Sequence, residues 1–276
     1  MKKLQEKINN FRLSAKKPRT RAASKQISHN WLPVIPVAAI LLAWQFLSMS
    51  GIVPPYMLPG PMQVIAVYSS DLYILARHLF FTLMEAMTGL ALAVITAFIL
   101  SVVMDANRFI KQSMTPVLLL TQTMPVIAIA PLLILWMGYG FAPKITLVFL
   151  TCFFPVTIGL LGAFASADND ALRLLQSMGA SKRQLYIYIK IPQSLPAFFS
   201  GLKIAASYSI IGAVVAEWLG GDAGLGVYMI RVRRSYSFDK MFAVILLVSA
   251  LSLLLIKLVS LLEKKFLPWR RNNYEY

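Results

Sequence analysis

Six long apolar runs leave this chain few ways to fold in water. They lie at about Pro33 to Ser50, Leu79 to Met104, Pro116 to Met137, Pro143 to Phe164, Ala197 to Leu219 and Met241 to Leu262. A bilayer core takes roughly 20 apolar residues per helical span. Within hydrocarbon, every backbone donor and acceptor must find its partner inside the protein, which a helix arranges for itself. The chain is 58% hydrophobic and 14% charged, with a mean hydropathy of +0.67, against about 25% charged in an ordinary soluble domain. The expected fold is therefore all-α, a polytopic transmembrane helical bundle of six spans.

A formal net charge of +16 raises nucleic acid as a partner, and the distribution of charge answers it. Lys2, Lys3, Lys7, Arg12, Lys16, Lys17, Arg19, Arg21 and Lys25 crowd the amino-terminal tail. Lys264, Lys265, Arg270 and Arg271 follow the last run, and Arg108 and Lys111 lie between runs two and three. With six spans, Arg173, Lys182, Arg183 and Lys190 share that side, which the positive-inside rule makes cytoplasmic. Arg231, Arg233, Arg234 and Lys240 in the last outer connection run against the rule. Anionic lipid headgroups, not nucleic acid, are the expected partner of the basic tail. The resulting division is a cytoplasmic tail at 1–30, a transmembrane domain at 31–265 and a second cytoplasmic tail at 266–276, in the cell membrane. A cleaved signal peptide is not expected, because the charged region is too long and no small-x-small site follows the first run. Cys152 is the single cysteine, so no disulfide is available, and His29 and His78 fall on opposite sides, so no metal site is expected.

The inner connection at 165–196 stands out. Leu172, Leu175 and Met178, then Leu185, Tyr188 and Ile189, recur at helical spacings and are interrupted by Gly179 and Ser181. This predicts two short helices joined at Gly179, where a side chain would obstruct the turn, with Ser181 capping the second. Leu185, Tyr188 and Ile189 would hold that second helix to the bundle, and Pro192 and Pro196 would end the segment before the fifth span. The basic turn Gly179, Ala180, Ser181, Lys182 and Arg183 is left to meet a partner; the alternative is an ordinary amphipathic connection at the membrane surface.

Charge inside a membrane is a functional candidate by default, because it costs about 2.5–3.5 kcal/mol at a helix centre on insertion scales. Glu85 and Glu217 qualify, whereas Lys203 and Lys257 lie near inner ends, where snorkelling accounts for them. Glu217 precedes Trp218, so it either borders a substrate path or reaches the headgroups; Glu85 either contacts a ligand or hydrogen-bonds a neighbouring helix. Gln122, Thr123 and Met124 precede Pro125, with Pro131 beyond, and a helix broken there either lines a pathway or kinks for packing. Tyr208, between Ser207 and Ser209, offers a polar strip open to the same two readings. No G-x-x-x-x-G-K-[ST] loop is present, and the glycines at 220, 221, 224 and 226 read as a turn.

The stretch GASKRQLYIYIKIP resembles the cytoplasmic coupling motif of binding-protein-dependent ABC importer permeases, in which a glycine is followed after a fixed gap by I-x-L-P. Gly179, Ile189, Ile191 and Pro192 match it, with Ile191 in place of leucine. TLMEAMTGL at Thr82 to Leu90, TMPVIAIAPLLILWMGYG at Thr123 to Gly140 and GAVVAEWLGGDAGLG at Gly212 to Gly226 resemble the nitrate, sulfonate, taurine and thiamine-pyrimidine-precursor branch. Together these motifs cover roughly residues 33 to 265. The family usually begins its motif with Glu-Ala-Ala; here Arg173 stands in that position, so an acidic contact to the ATPase is absent or moved to Asp168 or Asp170.

The resemblance implies the type I importer permease fold and a paired permease working with two ATPase subunits and an extracytoplasmic substrate-binding protein. ATP and Mg belong to the ATPase, and this chain binds no cofactor and is not itself an enzyme. The solute would be a small nitrogen- or sulfur-containing compound. Glu85, where sulfonate-type relatives often carry arginine, favours a thiamine pyrimidine precursor over an anion. An ion-coupled secondary transporter is the rival reading, which would rest on Glu85 and Glu217 alone and lacks an internal repeat. An intramembrane enzyme finds no catalytic constellation.

Overall fold

A computed structural model describes residues 34–54 and 56–268. The basic tail at 1–30, His29, Pro55 and the end of the C-terminal tail, Arg270 and Arg271 included, lie outside the described residues. Among those described, every regular element is helical: α1 (Val34–Met49), α2 (Pro61–Ser70), α3 (Leu72–Ala106), α4 (Arg108–Thr123), α5 (Val126–Met137), α6 (Phe141–Ala165), α7 (Asn169–Ser177), α8 (Lys182–Leu185), a π-turn (Tyr186–Lys190), α9 (Ile191–Leu219), α10 (Leu225–Arg234) and α11 (Phe238–Phe266).

Among the described residues, four continuous helices have the length and apolarity to cross a bilayer: α3, the 38-residue run Lys182–Leu219, α6 and α11. The expected third span is a pair, α4 and α5, bent by 105°. Proline explains the break. Met124 before Pro125 is pushed out of the helical region to φ −72°, ψ 126°, and Pro125 opens α5 in extended backbone. The expected first span is α1, apolar throughout but only 16 residues long, about 24 Å at 1.5 Å per residue against about 30 Å of hydrocarbon. The chain divides into two compact units at Phe46 and Leu47; α1 lies mostly in the first, and all that follows concerns the second.

The core of that second unit is the seam between α3, α6, α9 and α11. Ala86, Ala93 and Ala97 on α3 and Ala205, Ala206 and Ala213 on α9 are fully buried against Val148, Cys152 and Val156 of α6. Water supplies no hydrophobic drive inside a membrane, so small residues that let backbones approach closely are what bring helices together. The Cys152 thiol donates to Ala205 O at 3.2 Å and Ser101 Oγ to Thr157 O at 3.3 Å, tying α6 to α9 and α3. Large apolar side chains such as Phe80, Ile95, Ile99, Leu253 and Leu254 point outward, as a lipid-facing surface requires.

The fifth span differs from expectation in one respect. It does not start after Pro196; helix runs from Lys182 straight through Pro192 and Pro196. The π-turn is what admits Pro192, while Pro196 lies inside α9. The wide loop of the π-turn is closed by Ile191 N–H on Tyr186 O, and the helix restarts with Pro192 in its first turn, where a missing N–H is tolerated. Lys203 is also not left to snorkel, because its ammonium pairs with Glu263 at 2.5 Å.

Candidate functional site

Three places hold the residues singled out by sequence. The first is the α7 end of the bundle. Asp168 caps α7 by accepting from the N–H groups of Asp170 and Ala171. The helix closes at Gly179, whose φ of +84° is left-handed backbone suited to glycine, and the space around it is open. Conformation, not crowding, therefore demands glycine there. Ser181 and Gln184 form a capping box, Ser181 Oγ accepting from Gln184 N–H and Gln184 Oε1 from Ser181 N–H. Arg173, Gly179, Ser181, Lys182 and Arg183 are exposed and Ala180 is half-buried. Leu185 and Ile189 are buried, and Ile191 and Pro192 half-buried. Tyr188, expected to pack inward, is 67% exposed; the wide turn changes the helical phase after Leu185, carrying Tyr188 to the outside.

The second is a buried polar cluster at the α10 end. Glu85 and Glu217 are each 1% exposed, so Glu217 does not reach the headgroups. Glu85 Oε1 accepts from Lys144 Nζ at 2.7 Å. Lys144 sits in the first turn of α6, where the helix dipole disfavours a cation, and the carboxylate holds it there. Glu217 Oε1 accepts from Thr82 Oγ1 at 2.7 Å and its Oε2 from Gly226 N–H at 2.6 Å. Leu225 N–H donates to Thr82 Oγ1 at 2.8 Å and Gly224 N–H to His78 Nδ1 at 2.9 Å. The glycine stretch is therefore a turn, and its opened backbone cradles the chain's own side chains. A Cβ on Gly224 would come within 2.1 Å of the Glu217 carboxyl, and Gly224 holds φ +126°. Beside this cluster, Asp71 Oδ2 accepts from Tyr228 OH at 2.7 Å and Lys240 Nζ at 2.6 Å. The Lys240 and Tyr228 hydrogen bonds hold the Asp71 carboxyl below its ordinary range, against the opposing effect of burial. Arg231, Arg233 and Arg234 close the last turn of α10, where cations complement the helix dipole. That role accounts for their departure from the charge rule.

The third is a cleft of about 470 Å³ at the α4–α5 break, lined among others by Thr121, Gln122, Thr151, Phe154 and Tyr208. Gln122 and Tyr208 thus line one cleft, whereas Thr123 and Met124 are exposed at the break outside the lining. Glu85 and Glu217 belong to the α10-end cluster instead. Lys144, Thr82 and Asp105 were missed by the sequence reading; a lysine at the mouth of an apolar run and an acid at the end of another were the available signals.

These features define a polytopic helical membrane protein, with an exposed, capped basic turn and a cleft where a helix is broken. The chain belongs to the family described as binding-protein-dependent transport system inner membrane component, matched over residues 89–268. It is 35% identical over 246 residues to the formylaminopyrimidine transport permease protein ThiX of Halalkalibacterium halodurans, covering 87% of this chain and 96% of that one. To the riboflavin transport system permease protein RibX of Chloroflexus aurantiacus it is 32% identical over 240 residues, covering 85% and 89%. To the taurine transport system permease protein TauC of Escherichia coli it is 26% identical over 273 residues, covering 96% and 97%. In fold it is similar to the MetNI methionine ABC transporter in an inward-facing conformation, with a TM-score of 0.64 at 15% identity, covering 71% of this chain and 98% of that one. The protein is a transmembrane permease subunit of an ABC importer.

Proposed function

We infer that this permease imports a formylaminopyrimidine-type thiamine precursor, as a homodimer with two ATPase subunits and an extracytoplasmic binding protein, with both termini cytoplasmic. The observation that carries the solute class is the 35% identity to ThiX over nearly the whole of that protein. Glu85 no longer supports it, because its carboxylate is buried and engaged by Lys144. The cleft at the α4–α5 break supplies an amide at Gln122, hydroxyls at Thr151 and Tyr208 and the ring of Phe154, suited to a flat, polar, aromatic solute. In the working cycle the Gly179 turn seats in the ATPase. ATP and Mg stay on that partner, and its closure moves the helix that begins at Lys182.

Vesicles holding the permease, its ATPase and its binding protein should accumulate radiolabelled formylaminopyrimidine on addition of ATP, unchecked by excess taurine or nitrate. Uptake of taurine or nitrate without the pyrimidine would reject the solute assignment. Cysteines at Ser24 and Asn273 in a Cys152→Ser background should resist an impermeant thiol reagent in intact cells. Labelling of either would overturn the orientation.

A further inference from the structure

The π-turn that leads out of the exposed basic turn is held by one carboxylate. Asp105, in the last turn of α3, accepts from Tyr186 OH at 2.6 Å and from Lys190 Nζ at 2.5 Å, both on the same oxygen, Oδ2. Tyr186 and Lys190 are the first and last residues of the π-turn, so the acid spans it from end to end. The Lys190 ammonium also lies over the Tyr186 ring, 5.0 Å from its centroid. The Tyr186 ring also meets Phe164, from the end of α6, edge to face at 6.0 Å. Asp105 and Lys190 side chains are largely shielded from solvent, so the bonds are charge-assisted in a screened place.

A π-turn holds one residue more than the α-helix would there, and such turns recur at functional sites. Reversion to α-helical spacing would rotate everything before Tyr186 by about 100° relative to α9 and shift it along the axis by about 1.5 Å. The residues so displaced are Lys182, Arg183 and the Gly179 turn. An unheld π-turn is a compliant joint: it absorbs a push by slipping one register. Two bonds from its ends to a single acid on another helix remove that freedom and hand the displacement to α3.

We propose that Asp105 is a positioning residue for coupling: its clamp on Tyr186 and Lys190 fixes the rotational setting of the Gly179 turn and passes that turn's movement to α3. The proposal rests on the coupling role of the Gly179 turn. In vesicles with the ATPase and binding protein, Asp105→Asn should retain membrane insertion, ATPase association and ATP turnover. The solute moved per ATP should fall about fivefold or more, the lower end of a usual coupling term, and Asp105→Glu should restore part of it. Tyr186→Phe and Lys190→Gln should each lower the same ratio, and adding either to Asp105→Asn should lower it no further. If Asp105→Asn does not accumulate in the membrane, Tyr186→Phe and Lys190→Gln carry the test alone. A wild-type ratio in Asp105→Asn, or in both milder variants, overturns the clamp, as does full additivity of the losses. Gly179→Asp separates the two ideas: a coupling defect there beside a normal Asp105→Asn removes only the clamp, while normal behaviour in both removes the coupling role of the turn as well.

Discussion

Replacing Lys144 by Met should be among the most damaging single changes in this protein, and its partner's removal should repair most of the harm. Lys144 Nζ lies 2.7 Å from Glu85 Oε1, with side-chain exposures of 8% and 1%. Glu217, also 1% exposed, is the electrostatic neighbour of Glu85 in the same cluster. Among the described residues, Lys144 is the cation paired with Glu85, and through Glu85 it adjoins a second buried acid. Breaking a buried pair from one side costs about 3–5 kcal/mol, because the remaining charge stays desolvated, while removing both members is often near neutral. Lys144→Met should therefore lose about 3–5 kcal/mol, and Lys144→Met with Glu85→Leu should recover to within about 1–2 kcal/mol of the parent. Glu217 keeps its bonds from Thr82 and Gly226 in both. The Lys203–Glu263 pair is the internal control: with its lysine side chain 32% exposed, Lys203→Met should cost about 1 kcal/mol or less. Reversible unfolding in detergent micelles measures all four proteins. Equal losses in the single and double variants, or a loss from Lys144→Met no larger than from Lys203→Met, would refute the reasoning.

Gly224→Ala forces a Cβ onto the Glu217 carboxyl in a backbone region open essentially to glycine alone; about 2 kcal/mol or more should be lost, read as a lowered melting point, and an unchanged one would contradict the cradle. Asp71, whose folded carboxyl sits below its ordinary range, contributes stability that is fully present above about pH 3.9 and is lost as pH falls through the lower folded value. Melting curves across pH 2–5 should therefore show an acid limb that Asp71→Asn flattens. Ser181→Ala removes a cap worth about 1 kcal/mol, and hydrogen exchange at the Gln184 amide should quicken about fivefold; unchanged exchange would mean the cap is not formed.

Local features were readable in the chain and long-range ones were not. Gly179 and Ser181 announce a turn and a cap because the relevant partners, Gln176 and Gln184, lie within a few residues. Pro125 breaks its helix for the same local reason. A π-turn inserts its extra residue without any compositional mark, so the sequence pattern alone turns Tyr188 inward and makes Pro192 a stop. Glu85 and Lys144 are 59 positions apart, and nothing in either neighbourhood names the other. Each reads as an isolated charge in an apolar run until two helices are laid side by side. The cleft at the broken helix was half legible: the proline after Met124 marks Gln122 and the flanking serines mark Tyr208, and only packing decides that both line one space while Thr123 and Met124 do not.

The donors of Gly224, Leu225 and Gly226 that open α10 are taken by side chains of two other helices: His78 and Thr82 from α3, and Glu217 from the end of α9. In mechanical language this is a rivet. Sliding or unwinding any one of the three would strand a buried donor or a buried carboxylate, so the three ends travel as a single plate. Any give in the molecule has to come from elsewhere than this plate, and the sharpest break in the described helices is the bend at Pro125, with Gln122, Thr123 and Met124 exposed beside it.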